Sequence, residues 1–113
     1  MSHRIPQVNE VIRQNLNNLI LTELEFPKNS LVTITRVETS KDLRHAKVWV
    51  SIIPTVYTKK LLDKLTSKVS HLQYLLNQKL SMKPLPRLRF VVDDTEQKAA
   101  GIEEILDRIQ ENG

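Results

Sequence analysis

Lys59-Lys-Leu-Leu-Asp-Lys-Leu-Thr-Ser-Lys-Val-Ser-His-Leu-Gln-Tyr-Leu-Leu-Asn-Gln-Lys-Leu80 is the stretch around which the chain is organised. Its apolar residues fall at Leu61, Leu65, Val69, Leu72, Leu76 and Leu80, three or four positions apart throughout. That spacing draws one stripe on a helix, which Leu62 and Leu75 widen. The middle, Thr66-Ser67-Lys68-Val69-Ser70-His71, is poor in strong helix formers and rich in side chains that compete for backbone hydrogen bonds. We read a helix pair, continuous in pattern and weak at its centre. The weakness is a seam, a kink or a binding site.

Two strands precede it. His45 to Ile53 alternates, with Ala46, Val48, Val50 and Ile52 on one face and Lys47, Trp49 and Ser51 on the other. Leu31 to Glu38 has a β-branched centre, and Thr39-Ser40-Lys41-Asp42 between them is turn-forming. The pair predicts an antiparallel hairpin, stopped by Pro54. Upstream, Val8, Val11, Ile12, Leu16, Leu19, Ile20 and Leu24 mark the apolar face of a helix that follows Pro6 and ends at Phe26-Pro27. Asn15, Asn17 and Asn18 lower its intrinsic propensity, so packing must hold it.

Downstream, Pro84 and Pro86 bracket the exit from the helix pair. Arg87 to Val92 then reads as a third strand, with Leu88, Phe90 and Val92 on one face and Arg87 and Arg89 on the other. Asp93-Asp94-Thr95 predicts a turn and a helix cap. A last amphipathic helix turns Ile102, Ile105, Leu106 and Ile109 inward, with Gly101 a weak point.

The order is α-β-β-α-(kink)-α-β-α. A small three-stranded sheet with one-faced helices predicts a two-layer α+β domain with the helices on one face. Residues 1–113 read as one domain, with an acidic C-terminal helix over 95–113. The inward set is predicted to be Val11, Ile12, Leu16, Leu19, Ala46, Val48, Val50, Leu65, Leu72, Leu76, Leu88 and Phe90.

Composition narrows the function. There is no cysteine, hence no disulfide framework or thiolate zinc site. The opening residues lack the apolar run of a signal peptide and no segment approaches membrane-spanning length, so the expected location is the cytoplasm, with no membrane partner. Residues 1–92 carry fifteen bases against six acids, a net of +9, whereas residues 93–113 carry two against seven, a net of −5. A basic body points to a polyanionic partner, although solubility alone also favours net charge. His3, His45 and His71 are scattered without metal-ligand spacing, and two glycines exclude a glycine-rich phosphate loop. Asp93 and Asp94 are adjacent on a strand end and point apart. Ser51 and Ser70 have no neighbouring base. The expectation is no catalytic residue, no metal and no cofactor.

Leu31-Val-Thr-Ile-Thr-Arg-Val-Glu-Thr-Ser-Lys-Asp-Leu-Arg-His-Ala-Lys-Val-Trp-Val-Ser51 resembles the signature stretch of the ribosome-binding factor A family. The resemblance extends through Arg4 and the Val8–Leu24 helix, the Glu25-Phe-Pro-Lys28 turn and Pro86 to Thr95, nearly the whole chain. It implies a type II KH domain, and a ribosome assembly factor that binds small-subunit rRNA and free small subunits, with ribosomal proteins as further candidate partners, as a monomer, during late maturation and rRNA processing. In that family a kink between the central helices, commonly Ala-x-Gly, replaces the KH glycine loop. The motif aligns with Lys68-Val69-Ser70, which keeps neither residue. We expect a bend near Ser70, milder than a glycine would permit.

Candidate RNA-binding residues follow. Lys64, Lys68, Ser70 and His71 lie at or near the kink, where a restarting helix offers N–H groups and a positive dipole end to phosphate; a solvated lysine face is the plainer alternative. Arg87 and Arg89 share an exposed strand face and suit phosphate geometry, or protect a sheet edge. Lys41, Arg44 and Lys47 flank the hairpin turn, and Arg4 and Arg13 add to the first helix. Trp49 is read as a cross-strand packing residue ahead of a base-stacking one. A second function class is a protein-interaction module that docks a ribosomal protein or processing factor through the acidic C-terminal helix.

Overall fold

The computed structural model describes residues 4–81 and 85–93. The elements are α1 (Arg4–Glu23), β1 (Leu31–Thr39), β2 (His45–Ile53), a short 3-10 turn (Thr55–Tyr57), α2 (Thr58–Ser67), α3 (Val69–Lys79) and β3 (Arg87–Val92). The order agrees with the prediction as far as β3. The helix expected over 95–113 and the turn at Asp94-Thr95 lie outside the described residues, as does Pro84. α1, described over Arg4–Glu23, includes Arg4 and Ile5 as well as Pro6, the residue expected near its start.

The sheet order is β1-β2-β3, with β2 antiparallel to β1 and parallel to β3. Alternation drives its inner face: Val32, Ile34, Val37, Ala46, Val48, Val50, Ile52, Leu88 and Phe90 are all buried. The helices cover that face with Val8, Ile12, Leu16, Leu19, Ile20, Leu61, Leu65, Leu72 and Leu76. The predicted inward set is buried except for Val11, which is 39% exposed. Ile12 and Val8 already fill the i, i+4 row that meets β1, so Val11 falls at the flank of the stripe.

Both edges of the sheet are closed by helix amides. Asn17 of α1 accepts from the Ile34 N–H (2.9 Å) and donates to the Ile34 carbonyl (3.2 Å). Asn9 accepts from the Thr39 N–H (3.0 Å). On the opposite edge, Gln73 of α3 accepts from the Leu88 N–H (3.0 Å) and donates to the Pro86 carbonyl (3.1 Å). A poor helix former is thus retained in α1 because its amide replaces a missing neighbouring strand.

Replacing a side chain that satisfies two part-buried backbone groups costs about 1–3 kcal/mol. Asn17→Ala and Gln73→Ala should each lower unfolding stability by that amount in urea titrations, although alanine raises helix propensity. Asn18→Ala, at an exposed position of α1, should leave stability unchanged or raise it slightly. Equal effects at Asn17 and Asn18 would refute the edge role.

Candidate nucleic-acid interface

The outer face of the sheet is set by a β-bulge. The β1–β2 register shifts between Ile34 and Arg36. Strict alternation from Ile34 would bury Arg36 and expose Val37. The extra residue, Thr35, reverses the phase, so Val37 is buried while Arg36 and Glu38 face outward. Across the sheet, Glu38 lies opposite Lys47 and Arg36 opposite Trp49. On the other side His45 pairs with Arg87, Lys47 with Arg89 and Trp49 with Val91. The register therefore gathers His45, Lys47, Arg87 and Arg89, all exposed, on one half of the outer face. Adjacent strands lie about 4.8 Å apart and same-face residues about 6.6 Å apart along a strand.

Trp49 sits at the centre of this face, half-buried, with the Arg36 Cζ 4.3 Å from its ring centroid. The packing partner expected for Trp49 is thus a cation across the strand pair. Arg36 was not among the sequence candidates. The signal for it was the Thr35-Arg36 pair between apolar Ile34 and Val37, one residue too many for simple alternation. Thr35 also donates to the Asp93 carboxylate (2.7 Å), so Asp93 ties β3 to β1 across β2.

Lys41 and Arg44 are exposed in the hairpin loop beside this face. The loop is built on Asp42, whose carboxylate accepts from the Ser40 hydroxyl (2.6 Å) and the Arg44 N–H (3.1 Å). The Ser40 hydroxyl oxygen also accepts from the His45 N–H (3.1 Å). Leu43 takes φ 61°, a left-handed conformation that a non-glycine residue holds only when its surroundings determine it. The Ser40 hydroxyl, then the Arg44 N–H, holds the Asp42 carboxyl below the usual aspartate range.

The helix pair is interrupted at Lys68, two residues before the expected bend at Ser70. Lys68 has φ −102° and ψ 4°, and its N–H is shared between the carbonyls of Lys64 (3.2 Å) and Leu65 (3.1 Å). Ser67 donates its hydroxyl to the same Lys64 carbonyl (2.8 Å). The backbone resumes with the Leu72 N–H on the Lys68 carbonyl (3.0 Å), and no side chain caps α3. Beside the break, Thr66, Val69, Leu88, Arg89 and Phe90 line a groove of about 310 Å³. Arg89 thus borders both the outer sheet face and this groove.

The remaining candidates do not join one patch. Arg13 pairs with Glu10 on the same helix, its Nε donating at 3.0 Å. That bond lowers the Glu10 carboxyl and raises the Arg13 guanidinium from their ordinary values. Lys64 donates to the Glu25 carbonyl and lies 5.7 Å from the Phe26 ring centroid, tying α2 to the α1–β1 connection. His71 Nε2 is 3.6 Å from a Glu23 carboxylate oxygen. Lys68 and Ser70 are exposed at the break, and Arg4 opens α1. Among the described residues no cluster of three or more acidic or histidine side chains could hold a metal ion, and no helix is long and apolar enough to cross a membrane.

A two-layer α+β unit with a broken central helix pair, a groove at the break and cations around one sheet edge defines a KH-like binding domain. The family model for ribosome-binding factor A matches residues 4–106, and the chain belongs to that family. A relative of that name from Akkermansia muciniphila is 32% identical over 99% of this chain and 89% of its own. The crystal structure of ribosome-binding factor A from Thermus thermophilus shares the fold, with a TM-score of 0.71 at 22% identity over 80% of this chain and 97% of that one. A homology model of the T. thermophilus factor, fitted into a cryo-electron microscopy map of its complex with the 30S particle, gives a TM-score of 0.63 at 26% identity, covering 83% and 96%.

Two outcomes follow from the local geometry. Ser70 already lies in helical backbone, so Ser70→Gly, which restores the family's commoner residue, should lower stability by about 0.5 kcal/mol and not improve the break. A stabilised Ser70→Gly variant in thermal melts would contradict this. Because the Asp42 carboxyl is lowered in the folded loop, its contribution is present above its unfolded pKa and lost as pH falls through the folded value. In an NMR titration Asp42 should therefore protonate below the ordinary aspartate range, and Ser40→Ala should move its midpoint upward.

Proposed function

We propose that this chain is an assembly factor that binds the small ribosomal subunit through its rRNA during late maturation and rRNA processing. The observation that carries this is the convergence of family membership with exposed cations around β3 and the hairpin loop: Lys41, Arg44, Lys47, Arg87 and Arg89, with Lys68 exposed at the helix break. Such a surface acts by binding energy alone. Lysine and arginine displace counterions from phosphates, and shape selects a folded RNA site. The groove between the helix break and β3 suits a strand segment laid along the sheet edge. Holding that segment would keep immature rRNA in one conformation or block premature use of the particle. The chain would work as one monomeric domain in the cytoplasm, without cofactor or catalytic step. Similarity to a factor whose T. thermophilus counterpart was fitted into a 30S complex supports the choice of subunit. The alternative, protein docking through an acidic helix over 95–113, rests on residues beyond the described ones.

If several phosphates are neutralised, affinity for purified small subunits should fall at least about tenfold between about 50 and about 200 mM salt. Reversing charge in the double variant Arg87→Glu, Arg89→Glu should weaken binding by about tenfold or more and flatten the salt slope. Salt-insensitive binding would remove rRNA as the principal contact.

A further inference from the structure

The groove at the helix break leaves the middle of the outer sheet face unexplained. There, Trp49 is the chain's one tryptophan, and its indole Nε1 is buried with no hydrogen-bond partner among the described residues. A phenylalanine would pack in the same place without burying an unsatisfied donor. What tryptophan adds is a stronger π-face for a cation, and Arg36 occupies it at 4.3 Å. Glu38 holds the guanidinium from the side, its Oε1 3.4 Å from Nη1. The Arg36 side chain still keeps 53% of its surface exposed. One side of the guanidinium rests on the indole and another is tethered, so its orientation is set in advance. Lys47 and Arg89 lie one register step away on β2 and β3, with His45 and Arg87 a step beyond. No described element covers this face.

An anchored, solvent-facing guanidinium plane flanked by cations is a stacking platform. Unpaired bases stack on aromatic rings and on arginine planes, whereas a duplex keeps its base faces inside. We infer that the outer sheet face is a second RNA contact, specific for unpaired nucleotides. One base stacks on the Arg36 plane above Trp49, and the neighbouring phosphates lie on Lys47, Arg87 and Arg89. This rests on the rRNA-binding reading and deepens it: the RNA class is single-stranded, and Arg89 lets one strand pass from the groove around the β3 edge onto the sheet.

Because Trp49 is the sole tryptophan, its fluorescence reports the site directly. The full chain is titrated at fixed salt with a single-stranded oligoribonucleotide of about ten residues, and separately with an RNA duplex of equal phosphate count. Single strands should change Trp49 emission saturably and the duplex should not. Arg36→Ala should weaken single-strand affinity about tenfold, the scale of one stacked base. Arg36→Lys, which keeps the charge and loses the plane, should weaken it nearly as much. Denaturation midpoints identify any variant that is merely unfolded, and a folded Arg36→Lys variant carries the decision. Wild-type affinity in that variant, or equal emission changes from duplex and single strand, overturns the inference. That failure would leave salt-sensitive binding of the wild type to small subunits intact, whereas loss of salt sensitivity would sink the broader reading.

Discussion

The amide pairs at the sheet edges are the constraint on which the rest of the architecture depends. A three-stranded sheet has two edges for one central strand, so each edge strand turns one side of its backbone groups outward unless something meets them. Here Asn17 meets Ile34 and Gln73 meets Pro86 and Leu88, each amide using both its donor and its acceptor. These bonds also fix where the helices lie: α1 against β1 and α3 against β3, with α1 and α3 packed on each other between them. With the helices held to one side and the edges satisfied, the outer face is free to be polar and charged. Closing the edges from the helix side therefore leaves the outer face open, and the exposed cations lie on it.

The bulge at Thr35 acts at the next level. It lets Ile34 and Val37 both reach the core, although three positions separate them, and it turns Arg36 out over Trp49. One inserted residue thus serves burial and surface chemistry together. The parallel pairing of β2 with β3 then places basic residues beside basic residues, Lys47 by Arg89 and His45 by Arg87. Like charges such as Lys47 and Arg89 in register repel and are normally avoided. The polyanionic partner proposed for this face would relieve that repulsion.

Much of this was legible in the sequence, for physical reasons that differ by element. The strands at His45–Ile53 and Arg87–Val92 were recovered to the residue, because alternation with period two and flanking prolines leave little freedom. The leucine stripe of the helix pair named Leu61, Leu65, Leu72 and Leu76, all fully or almost fully buried. Side-chain partners were not legible. Asn17 looked only like a weak helix former, since its use depends on a strand that passes beside it. Lys64 and His71 looked like RNA-contact candidates near the kink, but each reaches a partner brought there by the α1–β1 connection or by α1 itself. Arg36 was hidden by a change of phase that alternation alone does not announce.

The helix break shows how a local sequence can reach the same architecture by another route. The family's usual glycine, which aligns with Ser70, would matter if the chain had to enter positive φ, but Ser70 lies in helical backbone and Lys68, at the break itself, stays at φ −102°, open to any L-residue. What interrupts the helix is competition for carbonyls. Ser67 donates its hydroxyl back to Lys64, and the Lys68 N–H divides between Lys64 and Leu65, the tightened pattern of a helix end. No side chain then caps the restart at Val69. One residue of interruption lets α2 lie along β3 while α3 also reaches α1, so the leucine stripe stays buried on both sides of the break. The groove beside β3 lies at the break, lined from the helical side by Thr66 and Val69. The soft middle of the stretch is therefore the joint that both closes the core and opens the groove, and the Ser67 hydroxyl helps to supply it, one residue ahead of the Lys68-Val69-Ser70 segment that aligns with the family's motif.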